Sequence, residues 1–355
     1  MISTYVKFIC LLSIVKSTHV MWIICYINPM DITVVSLNPS IDWQWSTPSF
    51  VYGGLNRVKS GRRYVSGKGI NVCAALKNLG RDPLCIGFNF RENGNLVTGA
   101  LDEWGVRYNF IDVDGAVRVN IKLYDESSGT MTELNQPGDF VPEKSVAELY
   151  GKALAQSKAA PPLQAVGQCS NPGILVLSGS MPAGVPKDIY KRLCSAWPGM
   201  TILDADGEAL RLALTGGKPP FLIKPNLFEL TNCFGVELPT KESIAAFCKK
   251  LIHEYGVGMI CVSMGADGAM LVTGSDAFYV AAPLVKVRGV QGAGDAMVAG
   301  LVYGLTNRLP EPELLRVATA AAAASVERDG TLMCTWEGFQ KFLSVLPKAS
   351  VLVSN

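Results

Sequence analysis

The sequence lacks several features that mark large classes of proteins. It contains two histidines, and its ten cysteines include no Cys-x-x-Cys pair. A histidine base, a zinc site and a disulfide framework are therefore not expected, and the thiols are predicted to be reduced and mostly buried in a cytoplasmic protein. Charged residues make up 17% of the chain, the formal net charge is +2, and no run of five like charges occurs. This balance argues against binding to nucleic acid or to an anionic membrane surface.

The chain also lacks an unbroken hydrophobic run long enough to span a membrane. Residues 1–30 form a hydrophobic leader without acidic residues, but Lys16–His19 divides it into short runs. A spanning helix needs roughly 20 apolar residues. No small-x-small cleavage site of a secretory signal follows. We favour a mis-called start, with translation beginning at Met30. A genuine hydrophobic anchor and an additional packed element are the alternatives, and no membrane contact is expected unless the leader is real.

From residue 31 onward, short apolar runs alternate with helical periodicities. This alternation is typical of βαβ units, and it predicts an α/β fold with a mostly parallel central sheet covered on both faces. The predicted strands are Ile32–Leu37, Leu84–Phe88, Ile174–Leu177, Thr201–Leu203, Phe221–Ile223 and Met259–Val262. Helices are predicted near residues 70–80, 94–104, 143–157, 186–197, 240–255, 292–305 and 311–327, and a long polar loop over 156–172.

Two stretches depart from this alternation. Residues 43–65 and 107–134 alternate polar and apolar side chains without helical spacing, as in Val117–Leu123. They are predicted to form antiparallel strands of a small β-sheet, which acts as a lid over a cleft at one end of the main sheet. One face of such a lid is left apolar, and this predicts a homodimer formed through the lids of two subunits.

The sharpest motif is the glycine turn Gly292–Asp295, which opens an apolar helix. Free N–H groups at the start of a helix, with small side chains around them, form a binding site for an anion. Because a carboxylate repels a phosphate, Asp295 is predicted to face a second substrate and to take its proton during phosphoryl transfer. The alternative is that Asp295 is only the N-cap of the helix.

A second glycine motif, Ser66–Asn71, also precedes a helix. It is not a Walker A loop, because Arg62 and Gly69 stand where that pattern needs a glycine and a Ser or Thr. Backbone amides, Lys68 and the Asn71 amide are instead predicted to bind a polyhydroxylated ligand. The alternative is a flexible turn with a solvated lysine.

Three further segments follow predicted strands, and ligands bind at the carboxyl ends of strands in open parallel sheets. Asp42 stands just past the first strand, where it can accept hydrogen bonds from sugar hydroxyls. Asn226 and Glu229 are candidates to hold a hydrated Mg²⁺, although an N-capped helix with an acid in its first turn explains them equally well. The loop Ser263–Gly268 is typical of a loop that a nucleotide approaches.

Together these segments resemble the ribokinase-like sugar kinases, and within them the phosphofructokinase B family. The similarity is closest to the branch that contains 1-phosphofructokinase and tagatose-6-phosphate kinase. It implies a three-layer α/β/α kinase domain over residues 31–346 with a small β-sheet lid, and a C-terminal tail over 347–355. The matching motifs are Asn-Pro-Ser-Ile-Asp42, Gly-Lys-Gly-Ile-Asn71, Ser178-Gly-Ser180-Met-Pro182-Ala-Gly184, Lys-Pro-Asn226-x-x-Glu229, Ser263-x-Gly265-x-x-Gly268 and Gly-Ala-Gly-Asp295.

The resemblance implies a role for each matching residue. Asp295 would be the catalytic base, and the amides of Gly292, Ala293 and Gly294 would form the anion hole. The residues assigned to substrate binding are Asp42, Arg57, Gly67, Lys68, Asn71, Arg118 and Ser180. ATP would face Lys224, Asn226, Ser263, Gly265 and Gly268, while Asn226 and Glu229 would manage Mg²⁺.

The implied activity is the ATP- and Mg²⁺-dependent phosphorylation of a ketohexose phosphate, with fructose 1-phosphate favoured. Arg57 and Arg118 support a phosphorylated substrate, because guanidinium groups match the geometry of phosphate. Tagatose 6-phosphate and fructose 6-phosphate are the alternatives within the family. A non-catalytic sugar-phosphate sensor is the alternative from another class, and the intact Asp295 and its glycine turn argue against it.

The chain departs from the family pattern at three places. Ser66 replaces a usual glycine, and Val290 replaces a usual Thr or Ser before the anion hole. Asn89–Arg91 replaces a glycine pair after the second core strand, which makes Arg91 a candidate for a new contact with the sugar phosphate. None of these changes affects the base or the glycine turn.

Overall fold

The computed structural model describes residues 9–16, 19–26, 30–158 and 173–353. Parts of the leader and most of the predicted polar loop lie outside these ranges. Within the leader, strands β1 (Ile9–Lys16) and β2 (His19–Tyr26) pair in an antiparallel two-stranded sheet. The mis-called start remains a prediction. No helix among the described ranges is long and apolar enough to cross a bilayer.

The remaining described chain alternates strands with helices, as the apolar periodicity predicts. The strands are β3 (Ile32–Ser36), β4 (Ser40–Thr47), β5 (Ser60–Ser66), β6 (Leu84–Glu92), β7 (Arg107–Ala116), β8 (Arg118–Asp125), β9 (Thr130–Asn135), β10 (Ile174–Ser178), β11 (Met200–Asp204), β12 (Leu222–Ile223), β13 (Met259–Ser263), β14 (Ala269–Val272), β15 (Ala277–Val280) and β16 (Ser350–Val353). The helices are α1 (Lys68–Asn78), α2 (Gly94–Trp104), α3 (Glu143–Lys158), α4 (Ile189–Ala196), α5 (Gly207–Leu214), α6 (Leu227–Phe234), α7 (Lys241–Tyr255), α8 (Ala293–Thr306), α9 (Glu311–Val326) and α10 (Trp336–Val345).

The main sheet has ten strands in the order β16-β15-β14-β13-β12-β11-β10-β3-β6-β7. The strands from β13 to β7 run parallel, and β14, β15 and β16 add an antiparallel edge. Every residue of β3 and β10 is buried, as expected for central strands that are covered on both faces. The predicted α/β class with a mostly parallel sheet is therefore confirmed.

The lid is a separate four-stranded sheet in the order β5-β4-β8-β9. The prediction that residues 107–134 belong to the lid is wrong for its first part, because Arg107–Ala116 pairs in parallel with β6 at the edge of the main sheet. An edge strand has one open face, so it alternates polar and apolar residues just as a lid strand does. The pattern alone could not separate the two positions.

The predicted boundary at residue 346 also needs correction. Ser350–Val353 pairs with β15, so this part of the predicted tail belongs to the main sheet. Sequence periodicity also missed helices α5, α6 and α10 and strands β14 and β15. Most of these elements are short, and short elements leave little periodicity to detect.

Candidate active site

The candidate base lies in the first turn of α8. Asp295 is 6% exposed, and its Oδ2 accepts a hydrogen bond of 2.8 Å from Nδ2 of Asn71 on α1. Burial, and next the negative charge of Asp204, raise the pKa of the Asp295 carboxyl to about 6. The ammonium groups of Lys68 and Lys224 and the bond from the Asn71 amide act in the opposite direction. A carboxylate with this pKa is a good proton acceptor near neutral pH.

The glycine turn presents its backbone to the same space. Gly292 is the N-cap of α8 with a φ of 78°, and a Cβ at this position would collide with Cε of Met333. No side chain caps the helix, so the alternative that Asp295 is the N-cap is wrong. The first N–H groups of a helix have no partner within it. A Cβ on Gly294 would lie 3.4 Å from Nζ of Lys224, which places an ammonium beside these free amides.

The buried carboxylate of Asp204 pairs with two lysines that the sequence assigns to the site, Lys68 and Lys224. Asp204 ends β11 and is 1% exposed; its Oδ1 lies 3.1 Å from Nζ of Lys224, and its Oδ2 lies 3.3 Å from Nζ of Lys68. Oδ2 also accepts a bond of 3.1 Å from Oγ of Ser178. Burial alone would raise the pKa of Asp204, but the two ammonium groups outweigh it and lower the pKa to about 2. The same carboxylate raises the pKa of Lys68.

Sequence reasoning missed Asp204 as a member of the site. A detectable signal existed, because the residue follows a predicted strand just as Asp42 does. The pairing with Asp204 bears on the predicted contact between Lys224 and ATP. Lys224 is 4% exposed, so it is not open to solvent. Its ammonium lies between Asp204 and the glycine turn.

A small cavity of about 130 Å³ joins the predicted substrate residues Lys68, Arg118 and Ser180. Arg118 Nε donates to the carbonyl of Asn38 at 3.3 Å, and the Asn38 amide donates to Oγ of Ser180 at 3.2 Å. The cationic side chains of Lys68 and Arg118 therefore line one cavity, which lies beside the carboxyl ends of β3 and β10. Asp206 is the acidic residue among its lining residues.

Two arginines do not join this cavity. Arg57 is exposed in the loop between β4 and β5, and its carbonyl accepts a bond from Thr47 Oγ1. The guanidinium of Arg91 is paired with exposed Asp114 at 2.6 Å. Neither residue is among those that line the cavity, because each lies on a loop or strand end that turns toward solvent. The prediction that Arg57 contacts the sugar phosphate is not supported by this geometry.

Asp42 lies on the inner face of the lid and already has three partners. Its Oδ2 accepts 2.7 Å from Nζ of Lys122, and its Oδ1 accepts 2.8 Å from Nδ2 of Asn120 and 3.0 Å from Oγ of Ser40. All four side chains are buried. Oδ1 of Asn120 is buried without a partner among the described residues. Sequence reasoning quoted Asn120 and Lys122 only as lid residues and missed their place beside Asp42.

The second glycine motif packs tightly under the lid. Gly67 has a φ of 115°, and a Cβ there would lie 3.0 Å from Cα of Pro39. The Asn71 amide, besides its bond to Asp295, lies 3.4 Å from Oγ of Ser66. The structure therefore places Asn71 beside the candidate base, and binding of a sugar by this motif stays a prediction.

Asn226 and Glu229 form a capping box at the start of α6. Oδ1 of Asn226 accepts a bond of 2.7 Å from the Glu229 N–H, and Oε2 of Glu229 accepts a bond of 2.9 Å from the Asn226 N–H. The structural alternative left open by the sequence is thus present. Oε1 of Glu229 takes no part in the capping box. The free oxygen suits Mg²⁺ held through water, since this cation keeps much of its hydration shell. No group of three or more His, Cys, Asp or Glu side chains that could hold a metal occurs in the described ranges.

The predicted nucleotide loop lies at the end of β13. The Ser263 N–H donates to the carbonyl of Pro225 at 3.1 Å, so this loop is tied to the strand end that carries Asn226. Gly265 has a φ of 59° and starts a short 3-10 turn. Gly268 has a φ of 96°, and a Cβ there would collide with the carbonyl of Val280. The two glycines let the backbone turn tightly at the end of β13.

Fold and site together define a kinase of the ribokinase-like class. The profile of the pfkB family carbohydrate kinases matches residues 31–337, and the chain belongs to this family. The 1-phosphofructokinase of Bacillus subtilis (strain 168) is 34% identical over 305 residues, which cover 84% of this chain and 94% of the relative. The 1-phosphofructokinase of Escherichia coli (strain K12) is 33% identical over 301 residues, with coverages of 84% and 91%.

Solved structures agree with the fold. Phosphofructokinase-2 from Escherichia coli in complex with fructose-6-phosphate matches with a TM-score of 0.78 at 27% identity, over 89% of this chain and 98% of that chain. The predicted family and the ribokinase-like fold are therefore confirmed. The protein is an ATP-dependent sugar kinase.

Proposed function

We propose that the protein phosphorylates fructose 1-phosphate to fructose 1,6-bisphosphate with ATP as the donor. The observation that carries this proposal is the cavity in which Lys68 and Arg118 meet, close to the buried base Asp295. Two cations in a small cavity suit a phosphorylated sugar better than a free sugar. The names of the similar 1-phosphofructokinases support the position of the phosphate. Fructose 6-phosphate, which the solved neighbour holds, and tagatose 6-phosphate are the second candidates.

Asp295 is proposed to accept the proton of the sugar hydroxyl that is phosphorylated. In the proposed reaction, the hydroxyl oxygen of the sugar attacks the γ-phosphorus of ATP, and the bond to the bridging oxygen of ADP breaks. Asp295 takes the hydroxyl proton, while the free amides of Gly292–Gly294 and the adjacent Lys224 stabilise the negative charge on the transferred group. The raised pKa of Asp295 is suited to this step, because the group can both accept the proton and release it afterwards.

The lid supplies the groups that orient the sugar. Oδ2 of Asp42 has a single donor, and the carbonyl oxygen of Asn120 has no partner among the described residues, so both are proposed to accept hydrogen bonds from the sugar hydroxyls. The Asn71 side chain and the backbone at Gly67 are proposed to contact the sugar from the side opposite the lid. Lys122 is proposed as a positioning residue, which holds the Asp42 carboxylate in one orientation through its bond of 2.7 Å.

ATP is proposed to lie along Lys224, Ser263, Gly265 and Gly268. Asn226 and Glu229 would hold Mg²⁺ through water, and the cation would neutralise charge on the nucleotide phosphates when bound. The capping box serves this role by holding the Glu229 side chain in one place.

The protein is proposed to form a homodimer through its lids. On β4 and β8, polar residues face the cleft, while the opposite face is apolar and only half-buried. The paired strands place Trp43 beside Ile121 and Trp45 beside Leu123 on that opposite face. The adjoining loop exposes Tyr52 at 95% and Leu55 at 83%. An apolar surface of this kind is typical of an interface, and a two-fold axis would bury both copies together.

The test is an ADP-release assay across fructose 1-phosphate, fructose 6-phosphate, tagatose 6-phosphate and free fructose. We expect the highest kcat/KM for fructose 1-phosphate, and a preference for any other acceptor would contradict the proposal. In the Asp295→Asn variant, kcat should fall by at least ~10²–10⁴-fold with nearly unchanged binding of ATP and sugar. If the variant keeps more than about a tenth of the wild-type kcat, Asp295 is not the base.

A further inference from the structure

A second and larger cavity lies on the other side of α1. It has a volume of about 500 Å³ and is lined by residues of α1, α2, β5 and the loop 328–333. We call it the lateral cavity, and its principal lining residues are Arg63, Asn71, Glu103, Trp104, Arg328 and Thr331. We call the cavity of about 130 Å³ the substrate cavity, and neither of its cations, Lys68 and Arg118, lines the lateral cavity.

Two polar groups in its wall have no partner. Oγ1 of Thr331, whose residue is 7% exposed, and Nε of Arg328 are both buried without a hydrogen bond among the described residues. Buried donors are almost always paired in native proteins, because an unsatisfied one costs about 1–3 kcal/mol. Both groups are hydrogen-bond donors in residues that line the lateral cavity.

The charge of the lateral cavity favours an anion. Neither Arg63 nor Arg328 forms an ion pair within the part of the chain that the structure describes. The Arg63 guanidinium instead lies 5.1 Å from the centre of the Trp43 ring. Glu103 is the acidic residue of the lining, and it is exposed at the α2 end beside Trp104. Guanidinium groups are well suited to phosphate and carboxylate.

We propose that the lateral cavity is a second binding site, distinct from the substrate cavity, for a small phosphorylated or carboxylated metabolite. Arg328, Thr331 and Arg63 bind its oxyanion, and Trp104 packs against its carbon skeleton.

The site has a physical connection to the reaction. Asn71 lines the lateral cavity and also donates the hydrogen bond to Asp295. Met333, another lining residue, has its Cε against Gly292 of the glycine turn. A ligand in the lateral cavity therefore contacts the residues that hold the base and the anion turn, and its occupancy changes kcat.

Calorimetric titration with inorganic phosphate tests the site without any sugar substrate, so the result is independent of the proposed reaction. The Arg118→Gln background removes a cation from the substrate cavity. In this background we expect phosphate still to bind, and its affinity to fall at least tenfold when Arg328→Gln or Thr331→Val is added. Thr331→Val keeps the shape of the side chain, so it guards against a loss caused by misfolding. Arg288→Gln is the matched control, because this arginine is near Asp329 but does not line the cavity.

Activity gives the second measurement. Added phosphate should change the kcat of the wild type at saturating substrates and should leave the kcat of Thr331→Val unchanged. The inference is overturned if Arg118→Gln binds no phosphate, if Arg328→Gln does not weaken binding, or if Arg288→Gln weakens it equally. An equal effect of phosphate on the kcat of the wild type and of Thr331→Val also overturns it.

Discussion

The hydrogen bond from Asn71 should set the acid limb of the pH profile. Asp295 must be ionised to accept a proton, and its pKa is raised to about 6, so kcat/KM should fall tenfold per pH unit below this value. The Asn71 amide lowers this pKa by bonding to the ionised carboxylate. Asn71→Ala should therefore move the acid limb to higher pH.

The expected size of the shift follows from the bond that is lost. A hydrogen bond to a charged group contributes about 1.5–3 kcal/mol, and one pKa unit corresponds to about 1.36 kcal/mol. A buried carboxylate should thus rise by about one to two pKa units. Asp204→Asn removes a negative charge that raises the pKa of Asp295, so its limb should move to lower pH.

The assay is the pH dependence of kcat/KM for the preferred sugar phosphate. The substrate phosphate itself titrates with a pKa of about 6, so the wild-type limb alone does not identify the base. A shift caused by the variant does, because the titration of the substrate is unchanged. Asn95→Ala, at an exposed position on α2, is the control. An acid limb that stays in place in Asn71→Ala, or that moves to lower pH, would refute the reasoning.

Three further variants test other parts of the site. Lys122→Met should raise the sugar KM at least tenfold with a smaller effect on kcat, because Asp42 loses its buried partner at 2.7 Å; an unchanged KM excludes a positioning role. Asp204→Asn should lower the free energy of unfolding at pH 7 by about 3 kcal/mol in denaturant titrations, since the buried Lys224 and the partly exposed Lys68 lose their carboxylate. The pKa of Asp204 is lowered to about 2, so the wild-type advantage should be present above pH ~4 and disappear as the pH falls toward 2; a pH-independent difference contradicts this. Light scattering on the chain from Met30 should report a dimer and Val119→Asp a monomer with impaired sugar binding, whereas a fully active wild-type monomer would exclude the lid interface.

Much of the main sheet could be predicted from the sequence, because central parallel strands are continuous apolar runs. Ile174–Leu177, for example, is a run of apolar residues and forms all but the last residue of β10. The position of β7 was not predictable in the same way. Its alternation of polar and apolar residues reflects one open face, and this condition is shared by a lid strand and an edge strand.

The site residues also fall into two groups, those within a local motif and those that meet only through the fold. The place of Asp295 in a glycine turn at the start of a helix could be predicted, because one local motif carries both the carboxylate and the amides; its role as the base stays a prediction. Asp204 follows a predicted strand and was therefore detectable as a candidate, but its ion pairs could not be predicted, because its partners Lys68 and Lys224 are distant in the chain and meet only through the sheet order. Local spacing likewise could not decide between a capping box and a metal site at Asn226 and Glu229, since the same two residue types serve both.

The shared carboxylate has a consequence for how tightly a sugar phosphate is retained. Lys68 is already attracted to Asp204 at 3.3 Å before any ligand arrives. An incoming phosphate therefore exchanges one electrostatic partner for another, and only the difference between the two attractions contributes to affinity. The lysine is held in position in advance, yet its full charge is not available for binding. In the proposed reaction, a product that carries two phosphates can leave the cavity more readily, because Asp204 regains the ammonium as the product departs.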